Sequence, residues 1–191
     1  MSDDELIIVA NRLPVEAVTD PDGNISWNVS PGGLVAAVEP SLKGRQGVWI
    51  GWNGHYQDPS EPAMPPIPET AEGRDYRIVE VPLDKSDVEQ YYDGFSNSAL
   101  WPLYHDAIAT PTYHRHQFDA YRRVNMLFAQ AAARAAAVEP VRRALVKLFR
   151  RHAFSPVATV YTGRNRLSKH SLQVKKVLSP LTVICAARIS A

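Results

Sequence analysis

Short apolar runs separated by turn-forming residues dominate the first half of the chain. Residues 5–12 ("ELIIVANR"), 47–54 ("GVWIGWNG") and 76–83 ("YRIVEVPL") combine β-branched and aromatic residues without a helical period, so they predict buried strands. Residues 15–29 ("VEAVTDPDGNISWNV") hold two β-prone pieces around an Asp-Pro-Asp-Gly-Asn turn and predict a hairpin. The proline-rich, acidic residues 58–73 predict a surface loop.

Two short helices are predicted between these strands and after them. Residues 30–44 ("SPGGLVAAVEPSLKG") become helical directly after the glycine pair Gly32 and Gly33. Ser86 and Glu89 have the spacing of a capping box, in which a hydroxyl and a carboxylate satisfy each other's backbone N–H groups. A helix is therefore expected to begin at Ser86.

Two longer helices are predicted further along the chain. Residues 118–137 ("FDAYRRVNMLFAQAAARAAA") are rich in alanine and place larger side chains at helical spacing, namely Tyr121, Val124, Asn125 and Phe128. Pro140 interrupts this pattern, and residues 141–154 ("VRRALVKLFRRHAF") predict a basic amphipathic helix. Periodicity then fades toward the C-terminus.

The order of these elements predicts an α/β domain with a mostly parallel sheet. In such sheets ligands bind beyond the carboxyl ends of the strands. Asn11 and Arg12 end the first buried strand, and Gly32 and Gly33 open the first helix. All four are expected near that edge of the sheet.

Composition fits one globular domain, or one domain and a piece of another. The chain has 191 residues, of which 45% are hydrophobic and 21% charged. Its single cysteine, Cys185, excludes an internal disulfide framework. The acidic N-terminus lacks the features of a secretory signal, and no apolar run approaches the roughly 20 residues of a membrane helix. We therefore expect a cytoplasmic protein.

Charge divides the chain into two unlike segments. Residues 1–137 contain 10 Lys and Arg against 19 Asp and Glu, whereas residues 138–191 contain 11 Lys and Arg and only one acid, Glu139. One interpretation is a tail that binds nucleic acid or an anionic membrane. The other is that residues 138–191 do not belong to the same protein domain as residues 1–137.

Arg12 and the glycine pair are candidates for binding an anion. A planar guanidinium can hold a phosphate or carboxylate with two hydrogen bonds, although an exposed arginine can equally pair with a loop acid. Gly32 and Gly33 open a helix whose free N–H groups suit a phosphate, although turn glycines often bind nothing. His114 and His116 lack the further ligands that a metal site needs.

Five aromatic residues cluster in residues 90–105 ("QYYDGFSNSALWPLYH"). Tyrosine and tryptophan offer a wide apolar face with a polar tip, which matches the C–H faces and hydroxyl groups of a sugar. Tyr91 and Phe95 are expected to pack in the interior. Tyr92 and Trp101 are expected to line a ligand site.

Five of these segments resemble, in the same order, the N-terminal part of the trehalose-6-phosphate synthases, glycosyltransferase family 20. They are "VANRLP", "SPGGLVAAVEPSL", "GVWIGWNG", "EQYYDGFSNSALWPLYH" and "YRRVNMLFA", and the resemblance covers residues 5–137. It implies a Rossmann-like N-terminal domain of a GT-B glycosyltransferase. It also implies transfer of glucose from UDP-glucose to glucose 6-phosphate with retention of configuration, through front-face attack assisted by the leaving phosphate and without a metal or other cofactor.

The resemblance assigns roles to individual residues. Arg12, Tyr92 and Trp101 match the residues that bind glucose 6-phosphate. Gly32 and Gly33 match the loop near the donor diphosphate, and Asn11, Trp49 and Trp52 are expected to support the site. Phe118 stands where the family often has tryptophan. Family members often form homo-oligomers, and no nucleic-acid or membrane partner is expected.

The resemblance ends after Ala137, where the charge changes sign. The family's Asp-Tyr motif, its histidine-bearing segment and its C-terminal domain do not follow, so no catalytic residue is identifiable. We infer an incomplete N-terminal domain over residues 1–137, with part of its sheet left as an exposed edge. Residues 138–191 would be a basic tail from a shifted frame or a truncated or chimeric gene. The piece alone is expected to be inactive.

Two alternatives to this interpretation remain. One is a non-catalytic module that binds a sugar phosphate and uses the basic tail to bind nucleic acid or a membrane. The other is a relative that glucosylates glycerol 3-phosphate, a smaller acceptor that needs less aromatic wall.

Overall fold

The computed structural model describes residues 5–31, 33–42, 47–56, 64–69, 76–104, 110–135, 165–167, 170–179 and 182–190. Three parallel strands form one half of a six-stranded sheet: β1 (Glu5–Arg12), β4 (Gly47–Trp52) and β5 (Tyr76–Glu80), with β4 in the middle. A separate hairpin consists of β2 (Val15–Thr19) and β3 (Ile25–Val29). The predicted strands and hairpin are confirmed.

The other half of the sheet comes from the C-terminal segment. Strands β6 (Asn165–Leu167), β7 (His170–Ser179) and β8 (Thr182–Ser190) are antiparallel to one another, and β8 pairs antiparallel with β1. Part of the sheet was expected to remain an exposed edge, but at β1 that edge is covered by β8. The parallel core is as predicted, but the complete sheet is mixed, because long-range pairing recruits a segment whose own pattern showed no strand.

Helices cover both faces of the parallel strands. The helical segments are α1 (Gly33–Val38), a 3₁₀ turn (Glu39–Ser41), α2 (Lys85–Asp87), a π-helix (Val88–Leu100), α3 (Trp101–Tyr104) and α4 (Arg115–Ala135). Along β1, Ile7 and Val9 face a core shared with α4, whereas Leu6 and Ile8 face a second core that contains Val35 of α1. This alternation is the period of two that a strand imposes on its side chains.

Helix α4 confirms the prediction for residues 118–137 and begins three residues earlier than predicted. Val124 and Phe128 are buried against the sheet, and Tyr121 is partly buried beside them. The Asn125 side chain donates to the Tyr121 carbonyl at 2.7 Å, so it forms a hydrogen bond within its own helix. The helix predicted at residues 141–154 lies outside the described residues.

The predicted short helix is present, but it begins at Lys85, one residue before Ser86. Asp84 is the N-cap of α2, and its carboxylate accepts the Asp87 backbone N–H at 2.6 Å. The Ser86 hydroxyl instead accepts from the Gln90 side chain at 3.1 Å. A carboxylate is an N-cap at least as good as a hydroxyl, and here it also lies nearer to the end of the preceding strand.

The turn of the hairpin is organised by Asp20. Its carboxylate accepts from the Asn24 side chain and from the backbone N–H groups of Asp22 and Asn24 at 2.8–3.0 Å. The Asn24 side chain, followed by these backbone groups, lowers the pKa of Asp20 below its ordinary value. Gly23 takes a φ of 86°, which only glycine adopts freely. In the described part of the chain, no helix is long and apolar enough to cross a membrane.

Candidate functional site

Arg12 lies at the carboxyl edge of the parallel sheet, as its position after β1 predicted. Strands β1 and β4 end together, with Arg12 opposite Trp52. The register shifts between Val9 and Arg12, and the Leu13 N–H then bonds the Trp52 carbonyl at 2.9 Å. This irregularity re-aims the chain where the strand ends, which is how bulges commonly place a functional side chain.

The Arg12 side chain is exposed and lies over an aromatic ring. Its guanidinium carbon is 5.0 Å from the centroid of the Trp52 ring, within the range of a cation–π interaction. None of the described carboxylates forms an ion pair with Arg12. Among the described residues, the alternative of an arginine paired with a loop acid thus receives no support, and none of their carboxylates competes with an anion for Arg12.

Trp52 connects Arg12 to Tyr92. The Trp52 and Tyr92 rings meet edge to face with centroids 6.1 Å apart. The indole N–H of Trp52 donates to the His55 carbonyl at 2.8 Å, which fixes the orientation of the ring. Tyr92 is half-buried, so its ring is partly covered while part of the residue remains accessible. Arg12 and Tyr92, two of the three residues predicted to bind the sugar acceptor, therefore both contact Trp52.

Trp49 and Asn11 hold the end of β1 from the interior, and their role in supporting a ligand site stays a prediction. Trp49 is fully buried, and its indole N–H donates to the Arg12 carbonyl at 3.1 Å. Asn11 is buried as well, and its Oδ1 accepts the hydroxyl of Tyr91 at 2.9 Å. The Arg12 backbone carbonyl and the Asn11 side chain are thus both tied to the core, whereas the Arg12 side chain is exposed.

Tyr91 and Phe95 are packing residues, as predicted. Both are buried, and both contact Tyr121 of α4, with ring centroids 5.8 Å and 4.9 Å away respectively. Burial, followed by the neighbouring Tyr121 and Tyr92, raises the pKa of Tyr91 far above its ordinary value. Tyr91 therefore stays a neutral hydrogen-bond donor and is unsuited to proton transfer near pH 7.

The 13-residue π-helix decides which side chains share a face. With hydrogen bonds from residue i to i+5, a π-helix has about 4.4 residues per turn, against 3.6 in an α-helix. Tyr92 and Trp101 are nine residues apart, about two π-turns, so a regular π-helix would bring them to nearly the same side. An α-helix would put them on opposite sides, because nine residues are there two and a half turns.

The π-register extends to Trp101, whose N–H bonds the Ser96 carbonyl five residues earlier. Hydroxyl groups follow the same spacing, since Ser96 donates to the Tyr91 carbonyl at 2.7 Å and Ser98 to the Asp93 carbonyl at 3.2 Å. Trp101 is 38% exposed at the start of α3. Its participation in a pocket with Arg12 stays a prediction, and sequence reasoning did not foresee the π-helix that orients it.

The glycine pair is only partly described. Gly33 begins α1, as predicted, whereas Gly32 lies outside the described residues. The role of the pair in binding a diphosphate therefore stays a prediction. Within the described ranges, no group of three or more His, Cys, Asp or Glu residues is placed to hold a metal ion.

Residues 4–141 match the family model described as Glycosyltransferase family 20. The chain belongs to glycosyltransferase family 20. It is 50% identical over 133 residues to trehalose-6-phosphate synthase from Mycolicibacterium gilvum, covering 70% of this chain and 26% of that protein. It is 48% identical over 135 residues to the Mycobacterium tuberculosis enzyme, covering 71% and 27%. The chain thus spans about a quarter of the length of these relatives.

Solved structures of similar proteins include an α,α-trehalose-phosphate synthase (UDP-forming) from Burkholderia xenovorans in complex with glucose-6-phosphate. That structure is 31% identical, covers 68% of this chain and 25% of its own, and has a TM-score of 0.47. Another is the Escherichia coli protein bound with UDP-2-fluoro glucose, at 28% identity, 66% and 24% coverage, and a TM-score of 0.47.

Phe118 stands at a position where the resemblance leads us to expect tryptophan. Its ring lies 5.3 Å from Phe95 and 6.1 Å from Tyr113, between α4 and the π-helix. The side chain therefore packs, as expected of this position, and phenylalanine fills it with a smaller ring than tryptophan would.

Proposed function

We propose that this chain forms the acceptor side of a trehalose-6-phosphate synthase, an enzyme that transfers glucose from UDP-glucose to glucose 6-phosphate with retention. Family membership supports the reaction class. The observation that carries the assignment of the acceptor site is that Arg12 and Tyr92 both contact Trp52 at the carboxyl edge of the sheet. No metal or other cofactor is required by this proposal.

A phosphorylated hexose is the acceptor that best fits these side chains. The Arg12 guanidinium can bind a phosphate through two parallel hydrogen bonds, and no described acid competes for it. Tyr92 and Trp101 can cover the apolar face of the sugar ring while their polar tips meet its hydroxyl groups. Glycerol 3-phosphate would satisfy the arginine but leave the aromatic side chains uncovered.

The donor side is proposed on the resemblance alone. Gly32 and Gly33 would approach the diphosphate of UDP-glucose through their backbone, since neither has a Cβ. The leaving phosphate would help to deprotonate the acceptor in a front-face attack. We expect little transfer by the 191 residues alone, because a GT-B site is built from two domains that hold the leaving group and exclude water.

Titration calorimetry with glucose 6-phosphate tests the proposal. Arg12→Ala is expected to weaken binding roughly tenfold to a hundredfold, because hydrogen bonds to charged groups are worth about 1.5–3 kcal/mol. Arg115→Ala is the matched control, since the Arg115 side chain is 78% exposed and pairs only with Asp119 in the described structure. Equal loss in both variants, or no binding by the wild-type chain, would contradict the proposed site.

Parallel titrations separate the alternatives. Glycerol 3-phosphate binding as tight as glucose 6-phosphate would favour the glucosylglycerol-phosphate alternative. Steeply salt-dependent binding of the chain to DNA or to anionic vesicles, together with retained sugar-phosphate binding, would favour the non-catalytic module with a basic tail. Homo-oligomerisation stays a prediction that light scattering can check.

A further inference from the structure

Residues 49–54 ("WIGWNG") surround Arg12 on several sides. The Trp49 indole holds its carbonyl, and the Trp52 ring lies under its guanidinium. A Cβ at Gly51 would come within 2.7–2.8 Å of the backbone at Arg12 and Leu13, closer than real Cβ atoms approach. A Cβ at Gly54 would overlap the guanidinium itself. We call Trp49, Gly51, Trp52 and Gly54 the Arg12 cradle.

Two separate properties of Gly54 favour glycine, namely its backbone conformation and the space that a Cβ would occupy. Its φ of 94° favours glycine, but the absence of a side chain matters separately, because the vacant volume holds the end of Arg12. Gly23 offers the comparison within the same chain. Its φ is 86°, yet a Cβ there would meet nothing within 4 Å. Of these two positions, only Gly54 combines a strained backbone with an occupied Cβ volume.

Confinement of Arg12 has a consequence for recognition. A free arginine samples many rotamers, and binding an anion then requires one of them to be selected at an entropic cost. Trp52 below and the Gly54 backbone beside the guanidinium limit these rotamers before any ligand arrives. The planar fork is then held at the edge of the sheet, where bidentate binding depends on its orientation.

We propose that Gly54 is a positioning residue that fixes the Arg12 guanidinium on Trp52 for binding the phosphate of the acceptor. The inference rests on the proposed function for its ligand, but its geometric half can be tested without one. A side chain at position 54 expels the guanidinium from the cradle. The consequence is weaker binding of a phosphorylated sugar and unchanged binding of the same sugar without phosphate.

The first experiment reads the position of Arg12 directly. In ¹⁵N-labelled full chain, the Arg12 Nε–H signal is assigned by its loss in Arg12→Lys, and the Trp52 ring current shifts it from the position of a solvated arginine. Gly54→Ala is expected to move the signal toward that position, whereas Gly23→Ala leaves it in place. Gly54→Asn and Gly23→Asn form a second matched pair, because asparagine tolerates positive φ better than alanine. Circular dichroism confirms folding.

The second experiment measures binding of glucose 6-phosphate and of glucose by both pairs of variants. Gly54 variants are expected to bind glucose 6-phosphate about tenfold to a hundredfold more weakly, the range for losing hydrogen bonds to a charged group, with glucose affinity and the Gly23 variants unchanged.

Each other outcome has a distinct meaning. An Arg12 signal that does not move in the Gly54 variants overturns the cradle, even if the wild-type chain binds the sugar phosphate. A signal that moves without loss of affinity overturns its role in recognition. If the wild-type chain does not distinguish glucose 6-phosphate from glucose, the proposed function and the role in recognition both fail, while the signal still decides whether Gly54 fixes the side chain.

Discussion

Tyr91→Phe removes one buried hydroxyl and leaves the rest of the residue in place. Tyr91 is 8% exposed and Asn11 4% exposed, and the hydroxyl donates to Asn11 Oδ1 at 2.9 Å across 80 residues of sequence. The phenylalanine ring can keep the stacked contact with Tyr121 at 5.8 Å. The variant therefore isolates the bond that ties the π-helix to the end of β1.

The expected loss of stability is about 1–2 kcal/mol. A buried neutral hydrogen bond contributes about 1 kcal/mol net, and the Asn11 oxygen that remains buried without this donor adds part of its desolvation penalty. No cavity larger than one oxygen atom forms, so the larger costs of deleting a side chain do not apply. Removing Asn11 as well, in Asn11→Ala/Tyr91→Phe, should cost less than the sum of the two single changes.

Urea unfolding followed by fluorescence measures this difference at pH 7. Tyr113→Phe is the control, because Tyr113 is 61% exposed and its loss should change the free energy of unfolding by less than about 0.5 kcal/mol. A Tyr91→Phe variant as stable as the control would refute the reasoning, since the bond would then contribute nothing net.

The same hydroxyl makes a prediction about alkaline pH. Burial raises the pKa of Tyr91 in the folded chain above its unfolded value of about 10. Its contribution is therefore fully present below pH 10 and is lost as the pH rises further, because only the unfolded chain ionises there. Stability should decline above pH 10 less steeply in Tyr91→Phe than in the wild type, and identical slopes would contradict this.

Two further predictions concern α4 and the π-helix. Asp87→Ala removes the partner of Arg123 and should lower the free energy of unfolding in urea by about 1–2 kcal/mol, because the Asp87 side chain is only 9% exposed. Asp119→Ala is the control. Its side chain is 49% exposed and its partner Arg115 is 78% exposed, so the loss should be less than about 0.5 kcal/mol. Tyr92→Ala and Trp101→Ala should each weaken glucose 6-phosphate binding in calorimetry at least roughly threefold. Leu103→Ala, 59% exposed two residues after Trp101, should not, and equal effects at all three positions would contradict the shared face.

Local sequence patterns determined most of the individual elements. The apolar runs that became β1, β4 and β5 and the periodic segment that became α4 carry their own signal, because strand and helix periods are set by neighbouring residues. The hairpin followed from the chemistry of residues 20–24 for the same reason. Helix α2 shows the limit of local patterns in placing the start of a helix. Asp84 and Ser86 are both acceptable N-caps, and Asp84, which lies nearer to the end of β5, is the one used.

The π-helix was out of reach of the local pattern. Its buried residues include Val88, Tyr91, Phe95 and Ala99, whose spacings of three and four fit an α-helix equally well, so the sequence pattern does not distinguish the two kinds of helix. A π-helix gains little from its own hydrogen bonds and persists when tertiary packing holds it. Here Tyr121 of α4 packs on Tyr91 and Phe95, and Asn11 of β1 accepts the Tyr91 hydroxyl.

The sequence by itself determined that Arg12 ends a buried strand and that aromatic residues are concentrated in residues 90–105. Only the tertiary structure decided that the guanidinium lies on Trp52 and beside Gly54, that residues 88–100 form a π-helix, and that β8 covers the edge of β1. The physical reason is the separation along the sequence of the residues that interact. Strand and helix periods depend on residues a few positions apart. By contrast, Arg12 and Trp52 are 40 positions apart, Asn11 and Tyr91 are 80 apart, and the paired residues of β1 and β8 are about 180 apart. Only packing of the whole chain selects among the partners available.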